Sequence, residues 1–260
     1  MALDYSYFKK KFMELTGMDL NSYKDQQMER RVRQFMSRVN VSDFHSYCKL
    51  LETNEKEKKR FLNYLTINTT SFFRDASVYN NLRDKVIPEM IERKRGAIKI
   101  WSAGCSIGAE PYSLAILMAE LAGSVRYTIN ATDLDVQALQ KAREGRYNYS
   151  QLESISKNLL SKYFNVIEDD LYEVKPEVKK VVTFKKQNLL EDSFEKGFDM
   201  ILCRNVFIYF KQETQNKLME KFIASLNPRG YFIIGSSENI GDAKSWDLRR
   251  AAISIFQKEN

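Results

Sequence analysis

The sequence has few of the side chains that most often carry enzymatic chemistry. Its 260 residues include a single histidine, His45, and only three cysteines, Cys48, Cys105 and Cys203, with no C-x-x-C pair. A Ser-His-Asp triad or a histidine-rich metal site would have to use His45, which lies in the plain helical stretch "VSDFHSYCKL". The cysteine spacing argues against structural zinc and is typical of a reduced, cytoplasmic protein. We therefore expect His45 to be a surface or packing residue, no metal site, and chemistry that works without histidine.

Long apolar runs are also missing. The longest, around "LAILMAELAG", is interrupted by Glu120 and falls short of the roughly 20 residues that span a membrane. The start, "MALDYSYFKKKF", has no apolar segment of the kind found in signal peptides. We expect neither a secretion signal nor insertion into a membrane.

Positive charge is in excess, and much of it lies near the start. The net charge is +7, and residues 1–60 hold thirteen Lys and Arg against nine Asp and Glu, which is +4 of the +7. Such a balance suits an acidic partner, whether nucleic acid, an anionic membrane or an acidic protein surface. Charge alone does not choose among these partners.

The segment "QQMERRVRQFMSRV", residues 26–39, is predicted to be an amphipathic helix. Its apolar residues recur at helical spacing and fall on one face: Met28, Val32, Phe35, Met36 and Val39. Arg30 and Arg33 point away from this face, and Arg31 and Arg38 flank it. The helix thus packs on one side and offers a stripe of guanidinium groups on the other.

The chain divides into a helical part and an α/β part. Residues 1–80 contain no proline and read as helices, whereas strands and helices alternate from about residue 98. Alternation of this kind favours a mostly parallel sheet with helices on both faces. Residues 163–188 are rich in strand-forming residues and are predicted to make a small antiparallel excursion before the sheet resumes at "VVTFKKQN".

Within the α/β part the main elements can be placed. We expect helices over "GAEPYSLAILMAELAG" and "DVQALQKAREG", and another over "QETQNKLMEKFIASLNPRG" that closes at Pro228 and Gly230. The tail after Gly241 should add one edge strand, "AAISIFQK". The other predicted strands are "AIKIWSA", "VRYTINATDLD", "FDMILCRNVFIYF" and "YFIIGSSE".

The turn after the first strand, within "WSAGCSIGAEPYS", indicates a ligand site. Ligands of open α/β sheets bind beyond the carboxyl ends of the strands, and Gly104 and Gly108 let a ligand approach the backbone. Their G-x-x-x-G spacing is not the dinucleotide fingerprint. Glu110, in the first helical turn, would repel a pyrophosphate, which disfavours a nicotinamide dehydrogenase. It favours a cationic ligand without phosphate, and S-adenosylmethionine fits this description.

Polar side chains follow the other strands. Asp133 is placed to accept hydrogen bonds from ribose hydroxyls; the alternative is a helix cap, a role that suits Asp135 better. Asn188 and Asn205 could read an adenine edge or hold the methionine moiety, although asparagines are common in turns. Four polar strand ends in register are better evidence than any one of them.

The stretch "TINTTSFFRD", residues 66–75, has two readings. Phe72 and Phe73 should pack in the core. Asn68, Thr70 and Arg74 either belong to a capped helix with a surface charge pattern or form a lid over the cofactor, with Arg74 gripping a carboxylate through two hydrogen bonds.

Taken together, these motifs resemble one family. "NTTSFFRD", "WSAGCSIGAEPYSLA", "ATDLD", "NLL" and "CRNVFIYF" occur in the order and spacing of the chemoreceptor glutamate O-methyltransferases, the CheR family. The resemblance runs through nearly the whole chain. It implies a small N-terminal helical domain, residues 1–80, and a Rossmann-like S-adenosylmethionine-dependent methyltransferase domain, residues 81–260, with an inserted antiparallel β-subdomain at 163–188.

The resemblance also implies roles for individual residues. The basic helix, with Arg30, Arg31, Arg33 and Arg38, would dock on the cytoplasmic helices of methyl-accepting chemoreceptors. We expect a cytoplasmic monomer that binds no nucleic acid, and we assign no catalytic residue. The positions implied to line the cofactor pocket are Asn68, Thr70, Arg74, Glu110, Asp133, Asn188, Leu189, Asn205 and Val206.

Two positions depart from the family pattern. The family loop commonly reads S-T-G-E-E-P, whereas this chain has Ile107 in place of a hydroxyl and Ala109 in place of an acid. We expect weaker or rearranged polar contacts there and a retained site. Two alternatives stay open at this stage: a nucleic-acid methyltransferase, and a cofactor-binding module without turnover.

The implied reaction transfers a methyl group from S-adenosylmethionine to a glutamate carboxylate, giving a γ-methyl ester and S-adenosylhomocysteine. Glutamate has a reference pKa near 4.3, so the nucleophile is ionised at neutral pH. No general base is required, in agreement with a chain that has one histidine.

Overall fold

The computed structural model of the chain describes residues 2–66, 70–94 and 96–259, with residues 2 and 3 described by their backbone alone. The chain forms two compact units. One comprises residues 1–67 and 208–216, and the other comprises residues 68–207 and 217–260. Among the described residues, no helix has both the length and the apolar character that crossing a membrane requires.

The first unit is helical and is built around aromatic side chains. The ring of Phe61 meets those of Phe12 and Tyr47 edge-on, with centroids 5.4 and 5.2 Å apart. The N-cap of the third helix is Asp43, whose carboxylate accepts a hydrogen bond from Ser46 N–H, as expected of a short acceptor at that position. The helices are α1 (Ala2–Thr16), α2 (Asp25–Arg38), α3 (Phe44–Thr53) and α4 (Glu55–Leu65).

The amphipathic helix predicted from the arginine-rich segment is confirmed as α2. Met28, Val32, Phe35 and Met36 are buried, and Val39 caps the end of the helix. The predicted surface character of His45 is also confirmed, because its side chain is 62% exposed and stacks on Tyr7.

The second unit contains a seven-stranded sheet in the order β6-β2-β1-β7-β8-β10-β9. The first five strands in this order run parallel, and β10 and β9 are antiparallel to their neighbours. A smaller antiparallel sheet has the order β3-β5-β4. The strands are β1 (Ile98–Ala103), β2 (Tyr127–Asp133), β3 (Arg146–Asn148), β4 (Phe164–Glu168), β5 (Leu171–Val174), β6 (Val182–Lys186), β7 (Phe198–Cys203), β8 (Leu226–Ile234), β9 (Leu248–Ala252) and β10 (Ile255–Lys258).

Helices connect these strands, as the alternation in the sequence predicted. The helix after β1 is buried along most of its length, which explains its apolar character all round. The segment between α5 and α6, Leu82–Val86, is π-helical. The helices are α5 (Ala76–Asn81), α6 (Ile87–Arg93), α7 (Ala109–Leu121), α8 (Val136–Glu144), α9 (Tyr149–Leu152), α10 (Lys157–Tyr163), α11 (Pro176–Lys179) and α12 (Gln212–Ser225).

Three predicted element boundaries are wrong. The strand expected over "FDMILCRNVFIYF" ends at Cys203, because Asn205 adopts a left-handed backbone with φ 60°. The helix expected to close at Pro228 and Gly230 ends at Ser225, because the next residue, Leu226, already pairs with β7. The single edge strand "AAISIFQK" is interrupted by a turn at Ser254, with φ 62°, which separates β9 from β10.

The small antiparallel sheet is present, but its strands do not coincide with residues 163–188. β4 and β5 lie inside that range, whereas β3 lies before it. The prediction that the large sheet resumes at "VVTFKKQN" is confirmed, because β6 pairs with β2. Residues 70–80, which the sequence analysis grouped with the helical domain, pack in the second unit. Phe72, Val78 and Tyr79 are buried in its hydrophobic core.

The turn after β1 leaves no room for a side chain at Gly104. Gly104 has a left-handed backbone with φ 78°, and an added Cβ would lie 2.7 Å from Cγ2 of Val206. Gly123 also has a positive φ, 54°, but nothing lies within 4 Å of its Cβ position. The two glycines therefore share the backbone requirement and differ in the space around them.

We predict that Gly104→Ala destabilises the protein more than Gly123→Ala does. Alanine in a left-handed conformation costs about 1–2 kcal/mol at either position, and overpacking against Val206 adds about 1–3 kcal/mol at Gly104 alone. Urea unfolding of the two variants measures the difference. Equal losses of unfolding free energy would show that Val206 moves away from the added methyl group at no energetic cost.

Candidate functional site

The carboxyl ends of the central parallel strands lie side by side at one edge of the sheet. Asp133, the last residue of β2, pairs in register with Lys186 at the end of β6. The chain after β6 stays beside β2, since Gln187 N–H donates to Asp133 O at 3.0 Å. The predicted site residues after β1, β2, β6 and β7 therefore follow strands that end at the same edge, where open α/β sheets bind their ligands.

Three consecutive backbone amides in the loop after β1 donate to acceptors within the protein. Gly104 N–H and Cys105 N–H both donate to Thr132 O, at 2.8 and 2.9 Å. Ser106 N–H donates to Oδ2 of Asp133 at 2.7 Å. A pyrophosphate-binding loop presents such amides to its ligand. This geometry supports the prediction that the loop does not hold a dinucleotide.

Asp133 links the end of β2 to this loop. Its Oδ2 accepts from Ser106 N–H, and its Oδ1 accepts from Asp135 N–H at 2.8 Å. Burial raises the pKa of Asp133 above its ordinary value, although these two backbone donors act in the opposite direction. Asp135 is the residue that caps α8, because its carboxylate accepts from the N–H groups of Gln137 and Ala138. Asp133 is therefore not the helix cap.

Glu110, in the first turn of α7, is held from two sides. Its Oε1 accepts from the Ser102 hydroxyl at 2.7 Å, and its Oε2 accepts from Nη1 of Arg204 at 3.1 Å. The side chain is 13% exposed, so the carboxylate is neither sealed in the core nor turned to bulk water. Arg204 also pairs with Asp75, with Nη2 and Oδ2 2.6 Å apart. Two carboxylates thus share one guanidinium, and the cluster carries a formal charge of −1, which suits a cationic ligand.

Arg204 is a residue that the sequence analysis missed. It follows the fully buried strand β7, and its side chain is only 3% exposed. Burial acts to lower its pKa, but the nearby Glu110, Tyr79 and Asp75 raise it, with a net rise above the ordinary value. An arginine immediately after an unbroken apolar strand, in "FDMILCRN", was the available signal, because a guanidinium is buried only where it is paired.

The segment of residues 70–75, here called the strap, is hydrogen-bonded to other parts of the second unit. Phe72 N–H donates to Gln151 O at 3.2 Å, and Phe73 N–H donates to the Ser113 hydroxyl on α7 at 3.0 Å. The predicted core positions of Phe72 and Phe73 are confirmed: the first is fully buried, and the second packs against the core.

Two of the three polar residues predicted in this region lie in the strap. Thr70 and Arg74 are half-buried, and Arg74 O accepts from Nη2 of Arg204 at 2.8 Å. Asn68 lies outside the described residues. The role of these three residues toward a cofactor stays a prediction.

Asn205 and Val206 come next to the same loop from the end of β7. Val206 lies directly against Gly104, as the 2.7 Å approach of a hypothetical Cβ shows. Asn205 N–H donates to Oε2 of Glu238 at 2.9 Å, and the same oxygen accepts from Gly235 N–H at 2.7 Å. Glu238, from "GSSEN", is a second residue that the sequence analysis missed, and it fixes the backbone of Asn205.

Asn188 and Leu189 form the start of a turn after β6. Asn188 N–H donates to the Asp192 carboxylate at 2.7 Å, and its side-chain oxygen accepts from Leu190 N–H at 3.1 Å. Leu189 O accepts from the Lys221 ammonium at 2.7 Å. Both predicted residues are half-buried and are held by the turn next to the end of β6.

Non-glycine residues with left-handed backbones gather around this edge: Phe73, Asp75, Ser106 and Asn205, with φ between 49° and 64°. Each such residue costs about 1–3 kcal/mol and persists only where its surroundings over-determine it. Here each has an anchor, since Ser113 holds the first, Arg204 the second, Asp133 the third and Glu238 the fourth. Strain concentrated in this way is typical of a functional site.

The two departures in the loop are a partly buried residue, Ile107, and a fully buried one, Ala109. Ile107 packs against the hydrophobic core, and its carbonyl accepts from the Tyr147 hydroxyl at 2.6 Å. Ala109 is fully buried at the start of α7. Neither side chain is solvent-facing, and their effect on cofactor affinity stays a prediction.

In the first unit, the four arginines of α2 have different surroundings. Arg30 and Arg38 are exposed. Arg33 pairs with Glu29 at 2.8 Å and lies over the ring of Phe44. Arg31 donates to Tyr64 O and stacks on the Tyr64 ring. The Arg38 guanidinium also lies over the Tyr64 ring, 4.9 Å from its centroid. Of the predicted stripe, three guanidinium groups therefore contact side chains of the unit, and two, those of Arg30 and Arg38, belong to exposed residues.

Comparisons with known proteins identify the family. Residues 68–252 match the family described as CheR methyltransferase, SAM binding domain, and residues 3–66 match the CheR methyltransferase, all-alpha domain. The chain is 39% identical over 245 residues to a chemotaxis protein methyltransferase of Listeria innocua, covering 94% of this chain and 93% of that protein.

Two further relatives carry the same name. The protein of Borreliella burgdorferi is 36% identical over 241 residues, covering 88% of this chain and 85% of the relative. The protein of Salmonella typhimurium is 32% identical over an alignment of 272 positions, covering 100% of this chain and 93% of the relative.

The acidic cluster at the strand ends, the committed amides of the β1 loop and the matches over both units lead to one conclusion. The chain belongs to the CheR methyltransferase family and is an S-adenosylmethionine-dependent methyltransferase of chemotaxis.

Proposed function

We propose that this methyltransferase esterifies glutamate side chains on the cytoplasmic helices of chemoreceptors, with S-adenosylhomocysteine as the second product. When bound, S-adenosylmethionine supplies a methyl group on a positively charged sulfur, which the acceptor carboxylate displaces in one in-line step. The observation that carries the proposal is the acidic cluster of Glu110, Arg204 and Asp75 beside a loop whose Gly104, Cys105 and Ser106 amides donate to β2, in a chain of this family. In this proposal the helical domain ends before the strap, because residues 70–80 pack in the second unit, and the enzyme acts as a monomer in the cytoplasm.

The second unit binds the cofactor through its strand ends. Glu110 accepts from the α-ammonium group, because its two oxygens keep lone pairs beyond those used by Ser102 and Arg204. Asp133 accepts from the ribose hydroxyls, and its two backbone donors fix the carboxylate plane. The remaining proposed contacts are Asn68, Thr70, Arg74, Asn188, Leu189, Asn205 and Val206.

No side chain needs to remove a proton in this reaction. The acceptor glutamate is ionised at neutral pH, and the only histidine pairs with Asp4 on the surface of the first unit. The protein contributes by holding the two reactants in line, and proximity and orientation supply about 7–11 kcal/mol in favourable cases.

The first unit supplies the docking surface for the receptor. Arg30 and Arg38 are exposed on α2 and are eight residues apart, about 12 Å along the helix axis. This spacing suits two acidic side chains on a receptor helix. Arg31 and Arg33 belong to the same surface, but they also stabilise the unit through Tyr64, Glu29 and Phe44.

With tritiated S-adenosylmethionine, we expect label in a chemoreceptor cytoplasmic fragment as an ester that base releases as methanol. A fragment whose methylatable glutamates are replaced by alanine should take up none. Total RNA should take up none either. Label in RNA together with an unlabelled receptor fragment would overturn the proposal.

The docking surface predicts a selective effect on the receptor substrate. The double variant Arg30→Glu/Arg38→Glu should raise the KM for receptor at least tenfold at low salt and leave the affinity for S-adenosylhomocysteine within twofold, because α2 holds no proposed cofactor contact. The matched control is Lys56→Glu/Lys59→Glu, which makes the same charge change at exposed positions of α4. Equal effects of the two double variants would mean that net charge, and not this helix face, attracts the receptor.

The raised pKa of Asp133 predicts a pH dependence of cofactor binding. An acid with a raised pKa takes up its proton at a higher pH than an ordinary aspartate, whose reference value is about 3.9. The protonated form loses acceptor capacity toward the ribose, so affinity for S-adenosylhomocysteine should fall on acidification. The fall should begin at a higher pH than it would for an aspartate with an ordinary pKa. Calorimetry between about pH 4.5 and 8, a range above the reference value of an ordinary aspartate, measures this fall in affinity.

Asp133→Asn is the control for this dependence. It should bind at least tenfold more weakly at neutral pH and should lose most of the acid-side decline. A variant that binds as tightly as the wild type, or that declines in parallel with it, would remove Asp133 from the ribose site.

A further inference from the structure

The second unit buries one guanidinium at the mouth of its cofactor site. Arg204 is 3% exposed, and removing a charged group from water costs several kcal/mol unless its partners compensate. Methionine or leucine would fill such a position after a buried strand without that cost. The charge therefore indicates a task that an apolar side chain could not perform.

The partners of Arg204 come from two other elements. Nη1 donates to Glu110 Oε2 in the first turn of α7. Nη2 donates to Asp75 Oδ2 and to Arg74 O, both in the strap. Guanidinium presents its donors in one rigid plane, whereas an ammonium is a point charge. Only an arginine can serve these acceptors from one fixed position.

We propose that Arg204 is a positioning residue that fixes the Glu110 carboxylate and the strap in their cofactor-binding arrangement. It acts through these two elements and does not itself touch the cofactor. Ser102 holds one oxygen of Glu110 and Arg204 holds the other, so the carboxylate has one orientation before the cofactor arrives. The inference rests on the proposed contact between Glu110 and the ammonium group of the cofactor.

Arg204 also joins the strap to this carboxylate. Asp75 has a left-handed backbone with φ 64°, and the same Nη2 holds both its side chain and the carbonyl before it. Loss of the guanidinium releases Glu110 and the strap together. Its removal should therefore weaken cofactor binding and leave recognition of the receptor unchanged.

The first experiment compares Arg204→Met, Arg204→Lys and Arg93→Met by calorimetry with S-adenosylhomocysteine and by steady-state kinetics. Arg204→Met should raise the Kd and the KM for S-adenosylmethionine at least tenfold, with kcat and the KM for receptor within threefold. Arg204→Lys should give a Kd and a KM between those of the wild type and Arg204→Met, because lysine keeps the positive charge but cannot donate to Glu110 and the strap together. Arg93 is 25% exposed and pairs with Glu89. As the matched control, Arg93→Met should leave the Kd for S-adenosylhomocysteine and the KM for S-adenosylmethionine within twofold of the wild-type values.

The second experiment is a double-mutant cycle with Glu110→Gln. If Arg204 acts in part through Glu110, the double variant Arg204→Met/Glu110→Gln should lose clearly less affinity for S-adenosylhomocysteine than the product of the two single losses, and the remaining loss beyond Glu110→Gln measures the strap. Effects that multiply would show independent action and would overturn the proposal. So would wild-type affinity in Arg204→Met or, should that variant fail to fold, in Arg204→Lys.

The cycle also separates this inference from the proposed function. If Glu110→Gln alone leaves the affinity unchanged, the proposed contact between Glu110 and the cofactor is wrong. If Glu110→Gln loses affinity while Arg204→Met retains it, only the positioning role of Arg204 is wrong.

Discussion

A guanidinium shared by two carboxylates organises the carboxyl edge of the sheet. Arg204 follows the buried strand β7, Glu110 lies in the first turn of α7, and Asp75 lies in the strap, so one ion cluster joins three segments that are distant in the sequence. A buried ion pair is seldom a source of net stability, because desolvation offsets much of the attraction between the charges. Here the ion cluster acts through its geometry, because it fixes the position and the orientation of the Glu110 carboxylate.

In the rest of the site, too, polar groups are hydrogen-bonded within the protein before a ligand binds. The amides of Gly104, Cys105 and Ser106 donate to the end of β2, and Glu238 takes up the N–H of Asn205. A related topology with free amides and no acid at this turn would attract a phosphate. The choice between a phosphate-bearing and a phosphate-free cofactor thus depends on which internal acceptors the loop has, and much less on the fold that carries it.

The positions of the site could be predicted from the sequence, whereas its internal supports could not. Alternating apolar strands and helices place Glu110, Asp133, Asn188 and Asn205 at strand ends, and parallel strands end at one edge. Arg204 and Glu238 act on other residues, so no periodicity reveals them. The same holds for the missed boundaries: the left-handed Asn205 and the pairing of Leu226 with β7 are tertiary effects that override the apolar pattern of "FDMILCRNVFIYF" and the helical pattern before Pro228.

The proposed chemistry explains why such a site can work without acid–base residues. The attacking carboxylate and the sulfonium start with opposite charges, and both charges vanish as the new C–O bond forms and the old C–S bond breaks. A site that solvated either charge strongly would stabilise the reactants more than the transition state, which carries less charge. The carboxylates of Glu110 and Asp133 are held in place by donors from the protein, so in this proposal they bind the ammonium and ribose groups and add no solvation at the reacting atoms. The proposed reaction therefore requires rigid internal pairing of the polar groups and exclusion of water from the reacting atoms. A histidine would not accelerate it.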